Sequence, residues 1–190
     1  PTDRSEYTGN IGVPLPSTEL AVLGEDGTHL APGEVGEIAI RGPQVMAGYL
    51  GRPETTSAAF HAGWMKTGDV GYLDDDGFLY LVDRMKDMLL VGGFNVFPNE
   101  VDAVLAEHPG IAEAAVAGVS DGRAGDTMHA FVVRRDPDLT AAEVQAHCAG
   151  CLTGYKRPRA VHFVDELPKS PIGKVVRREL RAMVKAGAVQ

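Results

Sequence analysis

From residue 1 to about residue 83, no long stretch repeats its apolar residues at the 3.6-residue spacing of a helix. Short apolar runs such as ELAVL and GEIAIRG instead stand between the turn signals GEDG, APGE and DDDG, the pattern of short strands joined by tight turns. This half is expected to be β-rich. The DDDG at Asp74 to Gly77 reads as a turn and not as a calcium loop, because the alternating ligands and distal glutamate of an EF-hand are missing.

After FLYLVDRMKD the texture changes. MLLVGGFNVF is two apolar runs joined by Gly92-Gly93, which fits a tight hairpin or a loop needing positive φ. In PNEVDAVLAEHPG, Pro98 suits a first helical turn, Val101, Val104 and Leu105 make one face, and Pro109-Gly110 stops the helix. IAEAAVAGV and HAFVVRR read as strands, and Thr140 with Glu143 makes a capping box for a following helix. RAVHFVDEL is another strand, and Val176, Leu180, Met183 and Val184 give a last helix its buried face. The expected fold class is therefore α+β. A β-rich unit covers residues 1–85 and a compact α+β unit covers 86–190, with the boundary in DRMKDM near Lys86.

Composition narrows the function classes. With 44% hydrophobic and 23% charged residues over 190 positions, the chain has enough apolar surface for one large or two small cores. No apolar run approaches the ~20 residues that span a bilayer, so a soluble chain is expected. It begins with Pro1 and not with methionine, and PTDRSEYTGNIGVPLP opens neither helix nor strand; we read it as a piece of something longer. Cys148 and Cys151 form a single C-x-x-C, the spacing of redox or half-zinc sites. Their spacing with Val144 and Leu152 is also that of one apolar helix face, and a structural zinc needs two more ligands. Reduced, buried thiols are expected, in keeping with a cytoplasmic location.

The net charge of −8 is uneven. Residues 156–190 hold nine Lys/Arg against three Asp/Glu, a balance of +6, which leaves −14 for the remainder. A basic end on an acidic protein attracts a polyanion there without making it a general nucleic-acid binder; the alternative is a solvated basic helix. In TGD, Thr67 to Asp69, an aspartate at the mouth of a sheet can accept two hydrogen bonds from a sugar diol, although a turn aspartate satisfies the same three letters. Arg84 reads equally as a surface ion-pair partner.

Taken together, TGDVGYLDDDGFLYLVDRMKDMLLVGGFNVFPNEVD and, about seventy residues later, YKRPRAVHFVDELPKSPIGKVVRREL resemble the carboxy-terminal part of the adenylate-forming enzymes, and most closely the fatty acyl-CoA synthetases (long-chain fatty acid–CoA ligases). The likeness runs from TGNIGVPLPSTE to the last helix. It implies a two-step reaction: a carboxylate attacks the α-phosphate of ATP to give an acyl-adenylate and pyrophosphate, and the thiol of CoA then displaces AMP. It also implies a barrel-like final subdomain over residues 1–85 and a small mobile domain over 86–190 that rotates between the two steps.

Residue by residue, the resemblance makes Asp69 the ribose-binding aspartate, Arg84 a second nucleotide contact and Lys86 the hinge. Gly92 and Gly93 match the loop lining the pantetheine tunnel, and Tyr155, Arg157 and Arg159 match positions that hold the CoA nucleotide. Lys174 matches the adenylation lysine, whose ammonium bridges the carboxylate and the α-phosphate. Their plainer readings are a surface lysine at 86, a surface patch at 155–159 and a solvent-facing helix-start lysine at 174. The last is disfavoured, because a cation sits poorly at the positive end of a helix.

The family's phosphate loop, adenine segment and acyl pocket are expected upstream, together with most of the Mg²⁺ contacts, so these 190 residues alone are expected to be inactive. Implied partners are a fatty acid, ATP and CoA, with no nucleic acid and with peripheral membrane contact by the parent. Three alternatives stay open: an aromatic or short-chain acyl-CoA ligase, an enzyme loading a carrier protein, and a non-catalytic binding module. Tyr155, Arg157 and Arg159 favour free CoA over a carrier, which has no 3′-phosphoadenosine to hold.

Overall fold

The computed structural model describes residues 9–120 and 125–188. Residues 1–8, expected to open neither helix nor strand, lie outside them. The chain divides into two units, Pro1–Lys86 and Asp87–Gln190, and each is treated by itself below.

The first unit is built on a five-stranded sheet curled into a half-barrel. Strand β1, Glu19–Leu23, pairs antiparallel with β2, Gly36–Arg41, so ELAVL and GEIAIR are strands as their turn-bounded patterning predicts. A short helix, α1, Pro53–Ala59, buries none of its residues. Seven residues without an apolar face leave no periodic signal, which is why the sequence reading has no helix there. Strand β3, Phe60–His61, and the ten-residue β4, Trp64–Leu73, follow.

Along one edge β4 pairs with β2; along the other its first residues pair with β3 and its last with β5, Leu79–Arg84. That branching lets one long strand hold the sheet together while register shifts at Glu37/Ala39 and Val70/Gly71 bend it. The DDDG turn closes β4 onto β5 as expected: Asp74 Oδ1 accepts from the amides of Asp76 and Phe78 at 3.1 and 2.8 Å. Trp64 packs in the core with Ala21, Leu23 and Ala39, and the Arg41 guanidinium lies over its ring at 4.5 Å.

In the second unit a hairpin, β6 Leu89–Val91 and β7 Phe94–Val96, precedes α2, Pro98–Ala106. Strand β8, Ile111–Ser120, then pairs antiparallel with β9, Asp126–Arg134. Helix α3, Ala141–Cys151, carries the chain to β10, Ala160–Phe163, which lies parallel to β9, and α4, Arg177–Lys185, comes last. The sheet order is β10-β9-β8.

Because strand side chains alternate between faces, the sheet supports two cores. Ile111, Val116, Met128, Ala130 and Val132 pack with Val101 and Leu105 of α2 and with Val144 and Cys148 of α3. Ala115, Ala117 and Phe131 pack with Leu167 and with Leu180 of α4. The expected capping box is present, with Thr140 Oγ1 accepting from the Glu143 amide and Glu143 Oε2 accepting from the Thr140 amide.

Two sequence expectations are corrected here. Cys148 is buried, but Cys151 is exposed. Cys151 is the last helical residue and the backbone turns extended at Leu152, so it is Leu152 that is laid into the core. In the last helix Leu180, Met183 and Val184 face inward, while Val176 precedes the helix and its place in the cluster is taken by Val175. Among the described residues no helix is long and apolar enough to cross a membrane.

Candidate functional site

In the first unit, strand register sets Asp69 of β4 directly opposite Arg84, the last residue of β5. Arg84 Nε lies 3.3 Å from Asp69 Oδ1, with the side chains 54% and 35% exposed. An ion pair this open contributes at most about 1 kcal/mol, so exchanging one partner for a polar ligand costs little. The local backbone holds the aspartate in place. Gly68 takes φ +75°, a left-handed conformation that costs a side-chain-bearing residue roughly 1–2 kcal/mol. Thr67 Oγ1 donates to the Ile38 carbonyl at 2.8 Å and accepts from the Asp69 amide at 3.1 Å. Lys86 sits in a 3-10 turn, Met85–Asp87.

In the second unit Gly92 and Gly93 have φ of +60° and +86° between β6 and β7, the two positive values of a tight hairpin turn. A Cβ at either would meet nothing within 4 Å, so glycine is needed for backbone conformation and the space above the turn is open. Immediately after the turn, Phe94 stacks on Tyr155 at 4.5 Å between ring centroids and 20° between planes. Tertiary folding therefore brings the Gly92-Gly93 turn and the YKRPR segment together. Phe94 is 55% exposed, and nothing local in the sequence marks this contact.

The basic residues of YKRPR divide their labour. Lys156 pairs with Glu100 at 2.6 Å. Arg157 donates through Nε to the Leu152 carbonyl at 2.9 Å and through Nη2 to the Ala149 carbonyl at 3.1 Å, closing the C-terminus of α3. Arg159, two residues further on, is exposed.

Lys174 lies on an exposed loop ahead of α4. Lys169 and Val175 bridge across the base of the loop. Within it the Ser170 amide donates to the Lys174 carbonyl at 2.8 Å, the Gly173 amide to the Ser170 carbonyl at 2.8 Å, and the Lys174 amide to Ser170 Oγ at 3.2 Å. The helix itself starts at Arg177, so Lys174 is a loop residue and not a member of the first turn.

The geometry thus offers a partly exposed carboxylate–guanidinium pair in one unit, and an exposed aromatic pair and an exposed loop lysine in the other. The family described as AMP-binding enzyme matches residues 1–50, and the AMP-binding enzyme C-terminal domain matches residues 100–174. This chain belongs to the adenylate-forming, AMP-binding enzymes. It is 49% identical over 181 residues to the long-chain-fatty-acid–CoA ligase of Escherichia coli O157:H7, covering 95% of this chain and 32% of that protein. It is 46% identical over 177 residues to the 2-succinylbenzoate–CoA ligase of Geobacillus kaustophilus strain HTA426, covering 93% and 36%. The structure of the o-succinylbenzoate CoA synthetase of Bacillus subtilis with its acyl-adenylate intermediate matches 91% of this chain and 35% of that one, at TM-score 0.80 and 42% identity. The chain spans about a third of the length of the curated relatives it matches.

A histidine pair, His162 buried and His129 half-buried, lies on the Phe131 face of the same sheet. His129 Nδ1 is 2.8 Å from His162 Nε2, and His162 Nδ1 is buried without a hydrogen-bond partner among the described residues. The tautomer with His162 Nε2–H donating leaves a bare lone pair at that buried nitrogen, which costs less than an unpaired N–H. Burial, and then the neighbouring His162, hold the His129 pKa below the usual histidine value. The unfolded chain therefore binds the proton more readily, and the stability carried by neutral His129 is present above pH ~6.5. It is lost as pH falls through the lower folded value. Denaturation midpoints of the chain are expected to drop between pH 7.5 and 5.5, and His129→Gln is expected to flatten that slope.

Proposed function

We propose that this chain is the carboxy-terminal part of an ATP-dependent fatty acyl-CoA ligase that forms acyl-AMP and then acyl-CoA in the cytoplasm. Residues 1–85 are the last, β-rich subdomain of the large domain, and residues 86–190 are the mobile domain, turning at Lys86. The observation that carries this reading is the exposed Lys174 on a loop closed by its own backbone, in a unit matched by the AMP-binding enzyme C-terminal domain. The Asp69 carboxylate fits a ribose diol, with Arg84 alongside, and Lys174 meets the acid and the α-phosphate as they react. The Gly92-Gly93 turn leaves room for a pantetheine arm. Tyr155 offers a flat face to adenine, and Arg159 with the remaining nitrogen of Arg157 meets CoA phosphate. Mg²⁺ is assigned chiefly to parts of the parent outside these residues.

The 49% identity to a long-chain-fatty-acid ligase supports a long-chain acid, and the 46% identity to a 2-succinylbenzoate ligase favours an aromatic acid as the second reading. Pyrophosphate release by the full-length parent, measured with ATP and acids from acetate through benzoate to palmitate, separates them. A maximum at palmitate is expected. A maximum at benzoate moves the acid to the aromatic class, and no release with any acid overturns the ligase reading. The 190-residue chain alone is expected to release none.

A further inference from the structure

The loop that carries Lys174 has little packing of its own, since Pro171 to Lys174 are all exposed. Its position is set at its two ends, and both ends are tied to β8. At the first, Lys169 Nζ meets the Glu113 carboxylate at 2.7 Å. At the second, Arg177 Nε donates to the Val116 carbonyl at 3.1 Å, and its Nη2 donates to Asn99 Oδ1 at 2.9 Å and to Asp102 Oδ2 at 2.5 Å. Asp102 Oδ1 in turn accepts from the Val116 amide at 2.7 Å.

Arg177, Asp102 and the backbone of Val116 thus form a closed ring of hydrogen bonds. β8 is the outer strand of its sheet, and the pair satisfies both backbone polar groups of an edge residue, as a neighbouring strand would. The ion pair is largely enclosed, with the side chains 14% and 21% exposed. A bidentate guanidinium in such a ring has one orientation, and Lys174 is three residues away along the chain. No other role in the proposed chemistry requires this ring.

We propose that Arg177 and Asp102 are positioning residues for Lys174, a cross-element anchor that holds the root of its loop in the geometry adenylation needs. The inference rests on the adenylation reading of Lys174. Displacement of a reacting group by about 1 Å costs on the order of 10²-fold in rate, so loosening this root is expected to act on the step that uses Lys174 and not on the step that does not.

The test is a comparison of half-reactions in the full-length parent. Acid-dependent pyrophosphate exchange reports adenylation, and CoA-dependent consumption of preformed acyl-adenylate reports thioester formation. Asp102→Asn, which keeps the shape of the side chain but removes its charge, is expected to lower adenylation about 10- to 100-fold and to leave the thioester step within about twofold. Asn99→Ala, which removes the carbonyl that accepts from Arg177 Nη2 but leaves the Asp102 pair in place, is expected to show a smaller drop with the same asymmetry, and it serves if Asp102→Asn fails to fold. Equal losses in both steps, or adenylation untouched while Lys174→Ala abolishes it, overturn the positioning role. Lys174→Ala without effect on adenylation overturns the functional reading instead.

Discussion

Lys174→Ala in the full-length parent is expected to lower acyl-adenylate formation by about 10²–10³, the usual loss when one preorganised donor to developing charge is removed. Thioester formation from supplied acyl-adenylate is expected to continue near the unmodified rate. The asymmetry follows from the proposed turning of the mobile domain, in which Lys174 serves the adenylation step alone. Lys174 sits in an exposed loop with its backbone tied to Ser170, so truncating its side chain removes an ammonium and no packing. Lys174→Arg tests the same point from the other side, because a planar guanidinium keeps the charge but does not reproduce a compact, rotatable ammonium. Only partial recovery is expected. Equal rates for wild type and Lys174→Ala in pyrophosphate exchange would falsify the assignment.

Phe131→Ala is expected to destabilise the second unit by about 3–5 kcal/mol, read from urea denaturation of the 190-residue chain. Phe131 has no exposed surface and joins Ala115, Ala117 and Leu167 to Leu180 of α4. Deleting the ring removes its burial and leaves a cavity under α4, which the two small alanines beside it do not fill. A typical domain is stable by only about 5–15 kcal/mol, so the loss is a large share of the total. A change below about 1 kcal/mol would mean that α4 collapses onto the sheet and closes the gap. The consequence reaches function, because α4 begins with Arg177, and the Lys174 loop is fixed through that residue.

Much of this architecture is legible along the chain, where the cause is local. The turn of Asp74 to Gly77 is written in a side chain that bonds its own following amides. The Gly92-Gly93 hairpin follows from two residues that tolerate positive φ, and the start of α3 from a reciprocal Thr140–Glu143 cap. The apolar face of α2 follows from 3.6-residue spacing. Spacing also misleads where a helix runs out: Cys151 has the right interval for the core and the wrong position, in the last turn before the backbone straightens.

The candidate site divides along the same line. The residue types at Asp69, Arg84, Tyr155 and Lys174 and their order come from the sequence, because resemblance compares letters in series. The contacts around them come from tertiary structure alone. Asp69 faces Arg84 only because β4 and β5 pair in one register, and a one-residue slip would turn the two side chains to opposite faces. Phe94 meets Tyr155, and Asp102 meets Arg177, across separations of 61 and 75 residues. Resemblance makes Arg157 a CoA contact, and only the fold shows that two of its nitrogens also close the C-terminus of α3. Local chemistry determined which elements form and where they stop. Only the packing of those elements decided which charges are paired and which, like Lys174, are left facing solvent.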